Sequence, residues 1–513
     1  MTLRPGGRRR RPRAWRAVSR ALGAPLALTA LAACGDPSAP TSSPNARSGH
    51  STASAAVPSR PPSARLSDQY IVTFAPSVTD VGGAAQELTR RSGGQLIFTY
   101  RSAIRGFAAR IPSQALTGLR KNPQISRIEE DVAVQAPSNP KGDASSSSWG
   151  IDRIDQSALP LDGKYMAVAT GSGVNIYIVD TGIRRTHAEL IGRSPVGFTT
   201  IADGNGTDDC HGHGTHVAGI AAGTTVGVAR GATVYPVRVM DCTGWGASSD
   251  VLAGLDWVMQ NHAAPAVVNM SIGRDRSPTL DSAVASLVSS GITVVASAGN
   301  AGTDACTQSP AGEPSVLTVA ASDRYDQQVS NSNGGPCVDL FAPGANIRSA
   351  WRTTDTSYAV ASGTSMASPH VAGAAALYLE SHPNAQPSEV SNALVKSATV
   401  GVLTWLGSGS PNQLLFTGVV GAGTPSQDQP PTASFRASCQ NSRCSFDASG
   451  SRDDKGIVSY RWYFGDGSAP LTSSSPKTTY RFVFASTYSV VLVVTDSAGQ
   501  TALAQVAVKI KRV

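Results

Sequence analysis

The sequence predicts an α/β core built on a mainly parallel sheet with helices on both faces. A small α+β domain precedes it and an all-β sandwich follows. Three observations carry this. Between about Trp149 and Phe416, short apolar runs alternate with helical stretches and each run ends in a turn, as strands buried on both faces do. Upstream, residues 66–135 alternate strands and helices in the order β-α-β-β-α-β. Downstream, residues 431–513 hold short strands separated by turn residues, as in Ser459–Phe464 and Thr487–Val494. A chain of 513 residues is too long for one core, so several domains are expected.

The chain opens with eight arginines and no acid in its first twenty residues, followed by an apolar stretch, Ala21–Ala33. That stretch is about 13 residues long, too short to span a bilayer but suited to an export signal over residues 1–34. It ends Leu31-Ala-Ala-Cys34, which resembles a bacterial lipobox. On that reading Cys34 is lipidated and anchors the precursor to a membrane; the alternative is an ordinary cleavage site near Ala33. Either way the protein is directed out of the cytoplasm. Residues 35–65, rich in Ser, Pro and Ala, read as a disordered tether.

The formal charge of +8 belongs to that leader. Residues 136–513 carry 24 basic against 28 acidic side chains, which leaves no electrostatic footprint for nucleic acid. Of seven cysteines, Cys34 is the odd one. Cys210, Cys242, Cys306, Cys337, Cys439 and Cys444 form an even set in an exported chain, with the pairing open.

Four segments carry candidate chemistry. Ser365 follows a Gly-Thr turn and opens an Ala-rich stretch, Met366–Leu379, so its hydroxyl sits at the start of a buried helix. The unpaired N–H groups there favour negative charge on a reacting oxygen. A serine needs a base and an orienting acid. Asp180 ends the apolar run Val174–Val179, at the carboxyl edge where open α/β sheets place their sites. His213 lies in Gly212-His-Gly-Thr-His-Val-Ala-Gly219, a turn leading into another small-residue helix. Asn300 ends the run Ile292–Gly299. The spacing His211-x-His213-x-x-His216 leaves a zinc cluster as an alternative, and His187, His262 and His370 read as structural.

These segments together resemble the subtilisin-like serine proteases, most closely the proteinase K and aqualysin branch. The order Asp, His, Ser along the chain is that of subtilisins. The resemblance spans about residues 66–418. It implies Ser365 as nucleophile, His213 as general base and then acid, Asp180 as its orienting carboxylate, and Asn300 as an oxyanion donor with the Ser365 N–H. It implies a catalytic domain over 136–418 and identifies 66–135 as similar to the family's inhibitory propeptide. The propeptide tail, Val132–Gln135, would lie in the cleft as a substrate does. Substrate would pair with Gly244-Trp245-Gly246 and Ser271-Ile272-Gly273. Gly273 with Ser297-Ala298-Gly299 would line the pocket beside the cleaved bond, and with no charge in those stretches an apolar or aromatic side chain should be preferred there.

The resemblance further implies disulfides Cys210–Cys242 and Cys306–Cys337, leaving Cys439 and Cys444 to each other. Two structural Ca2+ sites are implied, one at Asp339 with the carbonyls of Pro314 and Val316, the other at Asp152, Asp155, Gln156 and Asp162. Residues 419–430 read as a linker. In 431–513, Trp462-Tyr-Phe-Gly-Asp-Gly467 and Phe446-Asp-Ala-Ser-Gly-Ser451 resemble the immunoglobulin-like polycystic-kidney-disease (PKD) domain. The expectation is a secreted, monomeric, calcium-stabilised endopeptidase made as a zymogen, acting on proteins and peptides. An inactive peptide-binding relative and an adhesin working through its last domain are the alternatives.

Overall fold

The computed structural model describes residues 65–136, 148–418, 420, 431–453, 456–496 and 500–511. The expected export signal with Cys34, the tether before Arg65, and nearly all of the expected linker lie outside these residues.

The first region has the expected β-α-β-β-α-β order. Its strands are Arg65–Phe74, Gln95–Tyr100, Gly106–Arg110 and Ile125–Gln135, with helices α1 (Val81–Arg91) and α2 (Leu116–Arg120). All its strand pairs are antiparallel. Val72, Phe74, Phe107, Ala85 and Leu88 close its core between sheet and helices. Asp80 caps α1 by accepting from the Gly83 N–H at 2.9 Å. The second helical stretch is one 3-10 turn, Ser113–Ala115, followed by the short α2. Pro112 bounds it in front, and Pro123 pushes Asn122 out of the helical region behind.

The central region is built on a nine-stranded sheet. Its spatial order is Thr399–Val400, Gln413–Leu414, Leu340–Pro343, Leu317–Ser322, Thr293–Ser297, Ala266–Met270, Asn175–Asp180, Thr233–Arg238 and Phe198–Thr199. Every neighbouring pair is parallel except the first two strands, which are antiparallel. The helices are α3 (Trp149–Ile154), α4 (His213–Ala222), α5 (Ser248–Asn261), α6 (Pro278–Ser289), α7 (Thr364–Ser381) and α8 (Pro387–Ser397). Strand periodicity sorts side chains between the two faces. Ile176 and Ile178 join the core with residues of α4 and α7, while Tyr177 and Val179 join the core with residues of α5 and α6. The same alternation sends Asp180 to the α4/α7 face. Helices α4 and α7 lie deep in the molecule, and their small residues allow close approach.

The last region pairs a three-stranded sheet (Arg436–Gln440, Arg443–Asp447, Lys477–Arg481) with a four-stranded one (Leu471–Ser473, Ile457–Tyr463, Thr487–Asp496, Thr501–Lys509). Trp462 is fully buried between them, edge-on to Phe435 at 5.1 Å. All three expected disulfides are present, Cys210–Cys242, Cys306–Cys337 and Cys439–Cys444. The last joins directly opposed strand residues. Among the described residues no helix is long and apolar enough to cross a membrane.

Candidate active site

Asp180, fully buried at its strand end, and His213, the first residue of α4, meet directly. The His213 Nδ1–H donates to Asp180 at 2.8 Å (Oδ1) and 2.9 Å (Oδ2). That contact fixes the tautomer, leaving Nε2 as the basic nitrogen; this atom is buried and without a hydrogen-bond partner. A basic imidazole nitrogen with no partner is free to take a proton. Gly212 makes the turn before it with φ 114°, where a Cβ would fall 2.5 Å from the Trp351 ring.

The clamp that holds His213 escaped the sequence reading. Asp209 Oδ1 accepts the N–H groups of His211 and Gly212 and the Thr181 hydroxyl, at 2.9, 2.7 and 3.0 Å. Its Oδ2 accepts the Thr215 N–H and hydroxyl. The Thr181 oxygen accepts in turn from the Gly214 N–H at 2.9 Å. The residue after Asp180 and the first turn of α4 are thereby tied to one carboxylate, and the acid–imidazole pair is rigid.

Ser365 lies in the first turn of α7 and is 2% exposed. Its hydroxyl donates to the Ser271 carbonyl at 3.1 Å. Pro369, inside α7, has no N–H for the Ser365 carbonyl four residues back; the Ser271 hydroxyl donates to that carbonyl instead, at 2.8 Å. Asn269 donates to Ser271 at 2.9 Å and accepts from Ser368 at 2.7 Å. This chain, also missed from sequence, locks the Ser365 turn to the Ser271 segment. Asn300 is oriented by its amide oxygen, which accepts the Thr364 N–H (2.8 Å) and hydroxyl (3.0 Å). Gly363, at φ 140°, permits that approach, since a Cβ there would lie 3.1 Å from the Asn300 oxygen. Asn333 braces the Ser297–Gly299 segment, donating to the Ala298 carbonyl and accepting from the N–H groups of Ala301 and Thr303.

The expected peptide-pairing edge is occupied by the first region's own tail. Ala133, Val134 and Gln135 pair antiparallel with Ala247, Gly246 and Trp245, and the Ala136 N–H donates to Gly244 at 2.8 Å. Val134, 2% exposed, enters an apolar pocket of Val251, Ile272, Leu280 and Pro310, flanked by Gly273 and Arg274.

Carboxylates carry the rest of that contact. Helix α5 begins after Ala247, which has no side chain to cap it, and Asp131 of the tail accepts the Ser249 N–H at 3.1 Å. Glu129 accepts the N–H and hydroxyl of Thr279 and the Ser277 hydroxyl at the start of α6. In the other direction, Asp256 of α5 accepts the N–H groups of Arg101, Ser102 and Ala103 at 3.0, 2.6 and 2.9 Å.

The zinc alternative falls on geometry. His213 Nδ1 serves Asp180, and His216 Nε2 reaches the carbonyls of Ile347 and Ala359, both at 3.1 Å. Burial pushes the His216 imidazole down to about 3. Among the described residues the one three-ligand cluster is Asp203, Cys210 and Cys242, and both cysteines are spent in a disulfide. His187, His262 and His370 bond backbone carbonyls, as expected.

Asp152, Asp155 and Asp162 are close enough for their charges to interact, though their oxygens do not close into one cluster. Asp152 Oδ1 is buried without a partner, and the Asp155 carboxyl is pushed up to about 6, first by burial and then by the charges of Asp152 and Asp162. Orphaned, mutually repelling oxygens suit a hard divalent cation. Gln156 spends its NH2 on the Ala158 and Pro160 carbonyls and its oxygen on the Asp162 N–H. Asp339 is a single carboxylate raised to about 6 by burial and bonded to the Thr318 N–H at 2.7 Å, two residues from Val316.

A buried carboxylate–imidazole pair with an open Nε2, and a serine at the start of a buried helix, are the parts a nucleophilic hydrolase uses. Comparison with known proteins makes the class specific. Residues 171–433 match the subtilase family, residues 69–137 the peptidase inhibitor I9 family and residues 428–510 the PKD domain. An extracellular serine proteinase of Thermus sp. (strain Rt41A) is 50% identical over 330 residues, 63% of this chain and 78% of that protein. Alkaline serine exoprotease A of Vibrio alginolyticus is 42% identical over 364 residues, 69% of this chain and 68% of that one. The crystal structure of a cold adapted subtilisin-like serine proteinase aligns with TM-score 0.52 and 45% identity, covering 53% of this chain and 99% of that chain. The chain belongs to the subtilase family. It is a serine protease made as a zymogen, with an I9-type propeptide before the protease fold and a PKD domain after it.

Proposed function

We propose that Ser365 attacks the peptide carbonyl, that His213 Nε2 takes its proton and returns it to the leaving amine, and that Asp180 holds the imidazole and stabilises its charged form. The Asn300 NH2 and the Ser365 N–H donate to the oxyanion. The observation that carries this is the buried, partnerless Nε2 of His213 on an imidazole fixed by Asp180. Substrate lies extended along Gly244–Ala247, opposite Ser271–Gly273, as the propeptide tail does. The Ser297–Gly299 segment lines the pocket beside the cleaved bond, which prefers apolar or aromatic side chains, and Trp245 borders the distal cleft.

The domains run 1–34 (export signal), 35–65 (tether), 66–135 (propeptide), 136–418 (protease), 419–430 (linker) and 431–513 (PKD). The protein is secreted, as its extracellular relatives are, and acts as a monomer; its precursor is held at a membrane through lipidated Cys34. Ca2+ at Asp152, Asp155, Asp162 and Gln156, and at Asp339 with the Pro314 and Val316 carbonyls, stabilises the fold and takes no part in the chemistry. The test is Ser365→Ala in the full chain. It should abolish both gelatin hydrolysis and self-release of the propeptide; a Ser365→Ala chain that matures alone would overturn the assignment.

A further inference from the structure

Arg274 directly follows the Ser271–Gly273 segment and is half-buried, at the edge of the apolar pocket that takes Val134. Its Nη1 donates to the Ser248 hydroxyl at 2.8 Å, and that hydroxyl donates to the Val132 carbonyl of the propeptide tail at 3.2 Å. Side chains two apart on a strand share a face, so Val132 and Val134 point the same way. Arg274 borders both the pocket that takes Val134 and the open cleft beside Val132.

The charges facing the guanidinium are Glu129 and Asp131 from the tail and Asp275 and Asp281 from its own domain. Asp281 is already paired with Arg276 at 3.0 Å, and Asp275 is exposed. Glu129 and Asp131, together with the basic Arg65 and Arg127 lining the same cleft, leave with the propeptide. What remains is a fixed cation beside the strip where a substrate residue would take the place of Val132.

We infer that Arg274 is a specificity-determining residue, selecting substrates with an acidic side chain two positions before the residue that fills the Val134 pocket. This rests on the reading of the Gly244–Ala247 edge as the substrate cleft. A carboxylate there meets the Nη atoms not spent on Ser248, while a lysine meets a like charge in a partly desolvated groove. Exposed ion pairs of this kind are worth about threefold to fivefold in an equilibrium, and partial burial raises that figure.

The test uses mature wild-type enzyme and internally quenched peptides copying residues 130–149. Glu130 and Asp131 are replaced by serine, and the Val132 position carries Glu, Gln or Lys. The expected order of kcat/KM is Glu, Gln, Lys, with about threefold to tenfold between the extremes at low salt, shrinking in 1 M salt as the charges are screened. Arg274→Gly should flatten the series and Arg274→Glu should invert it. Equal rates for Glu and Lys in the wild type overturn the inference, as does a Glu preference that persists unchanged in Arg274→Gly. Should either variant fail to mature, the wild-type series and its salt dependence decide alone. Failure of the enzyme to cut any of the peptides would instead overturn the substrate-cleft reading, and the inference with it.

Discussion

Asp256→Ala should loosen the propeptide without touching catalysis. The Asp256 carboxylate lies on α5, 5% exposed, and receives three consecutive backbone N–H groups from the turn after Tyr100. Removing it leaves those donors facing an apolar gap or whatever water can enter. Hydrogen bonds to a charged acceptor contribute roughly 1.5–3 kcal/mol each, and three on one carboxylate are not additive. A total loss of about 3–5 kcal/mol follows, which is roughly 10²–10⁴ in the inhibition constant. The assay adds a polypeptide of residues 65–136 to mature enzyme and measures residual hydrolysis of a small chromogenic peptide. Wild type and Asp256→Ala should share kcat and KM and differ in inhibition constant by that factor. Asp256→Asn keeps one acceptor oxygen and should fall between them. An inhibition constant within threefold of wild type for the alanine variant would refute the argument that this carboxylate anchors the propeptide.

Asn300→Ala should lower kcat by about 10²–10³ with KM little changed, since the lost donor acts on the developing oxyanion; steady-state kinetics checks it. Propeptide affinity should fall as pH rises. Burial raises the carboxyls of both Asp131 and Asp250, the latter to about 6, and the Asp131 charge raises Asp250 further. Groups raised on assembly take up protons as the complex forms, so inhibition should be tightest near pH 4–5 and weaken as pH rises through about 6, levelling above 7. A pH series of inhibition constants would show it. Reduction should lower the melting temperature, because Cys210–Cys242 and Cys306–Cys337 span 32 and 31 residues and each contributes roughly 3–4 kcal/mol. Chelation should lower it too, with Asp152→Asn reducing the chelator effect, as differential scanning calorimetry would report.

Much of the site could be read from the chain because its key residues sit where local patterns end. Asp180 closes a strand-like run, His213 and Ser365 open small-residue helices, and Asn300 follows another strand. Each position is marked by an apolar run meeting a glycine turn. The residues that hold them bear no such mark. Asp209 works through backbone N–H groups of His211, Gly212 and Thr215, and an aspartate in a Gly/His turn looks like any loop aspartate until the turn is folded. Asn269 and Ser368 meet across 99 residues of sequence. Pro369 lies inside the Ala-rich α7 and leaves free the Ser365 carbonyl that the Ser271 hydroxyl then reaches. The run Glu129-Glu-Asp131 reads as a solvated strand end, whereas Asp131 is fully buried. Its partner, the α5 N-terminus, lies in another domain, and no periodicity reports that.

The caps give the propeptide a second role beside blocking the cleft. A helix start leaves N–H groups that need acceptors. Helix α5 starts at Ala247-Ser248, where its own Asp250 accepts only the Ala247 N–H, and α6 has Ser277 accepting only from Leu280. Asp131 and Glu129 complete both starts, and the strand that carries them pairs with Trp245–Ala247, the segment leading into α5. One propeptide strand therefore contacts the pairing edge and the first turns of two helices that pack on one face of the central sheet. These contacts join distant parts of the chain, which form slowly because loop closure must precede them. The template supplies those acceptors from outside the protease domain. Once the strands and disulfides are in place, burial in the core they share holds α5 and α6, and the loss of two caps on release costs about 1 kcal/mol each. Release then weakens the helix starts without undoing the fold, which is what a zymogen needs if the same strand is to assist assembly, inhibit, and leave.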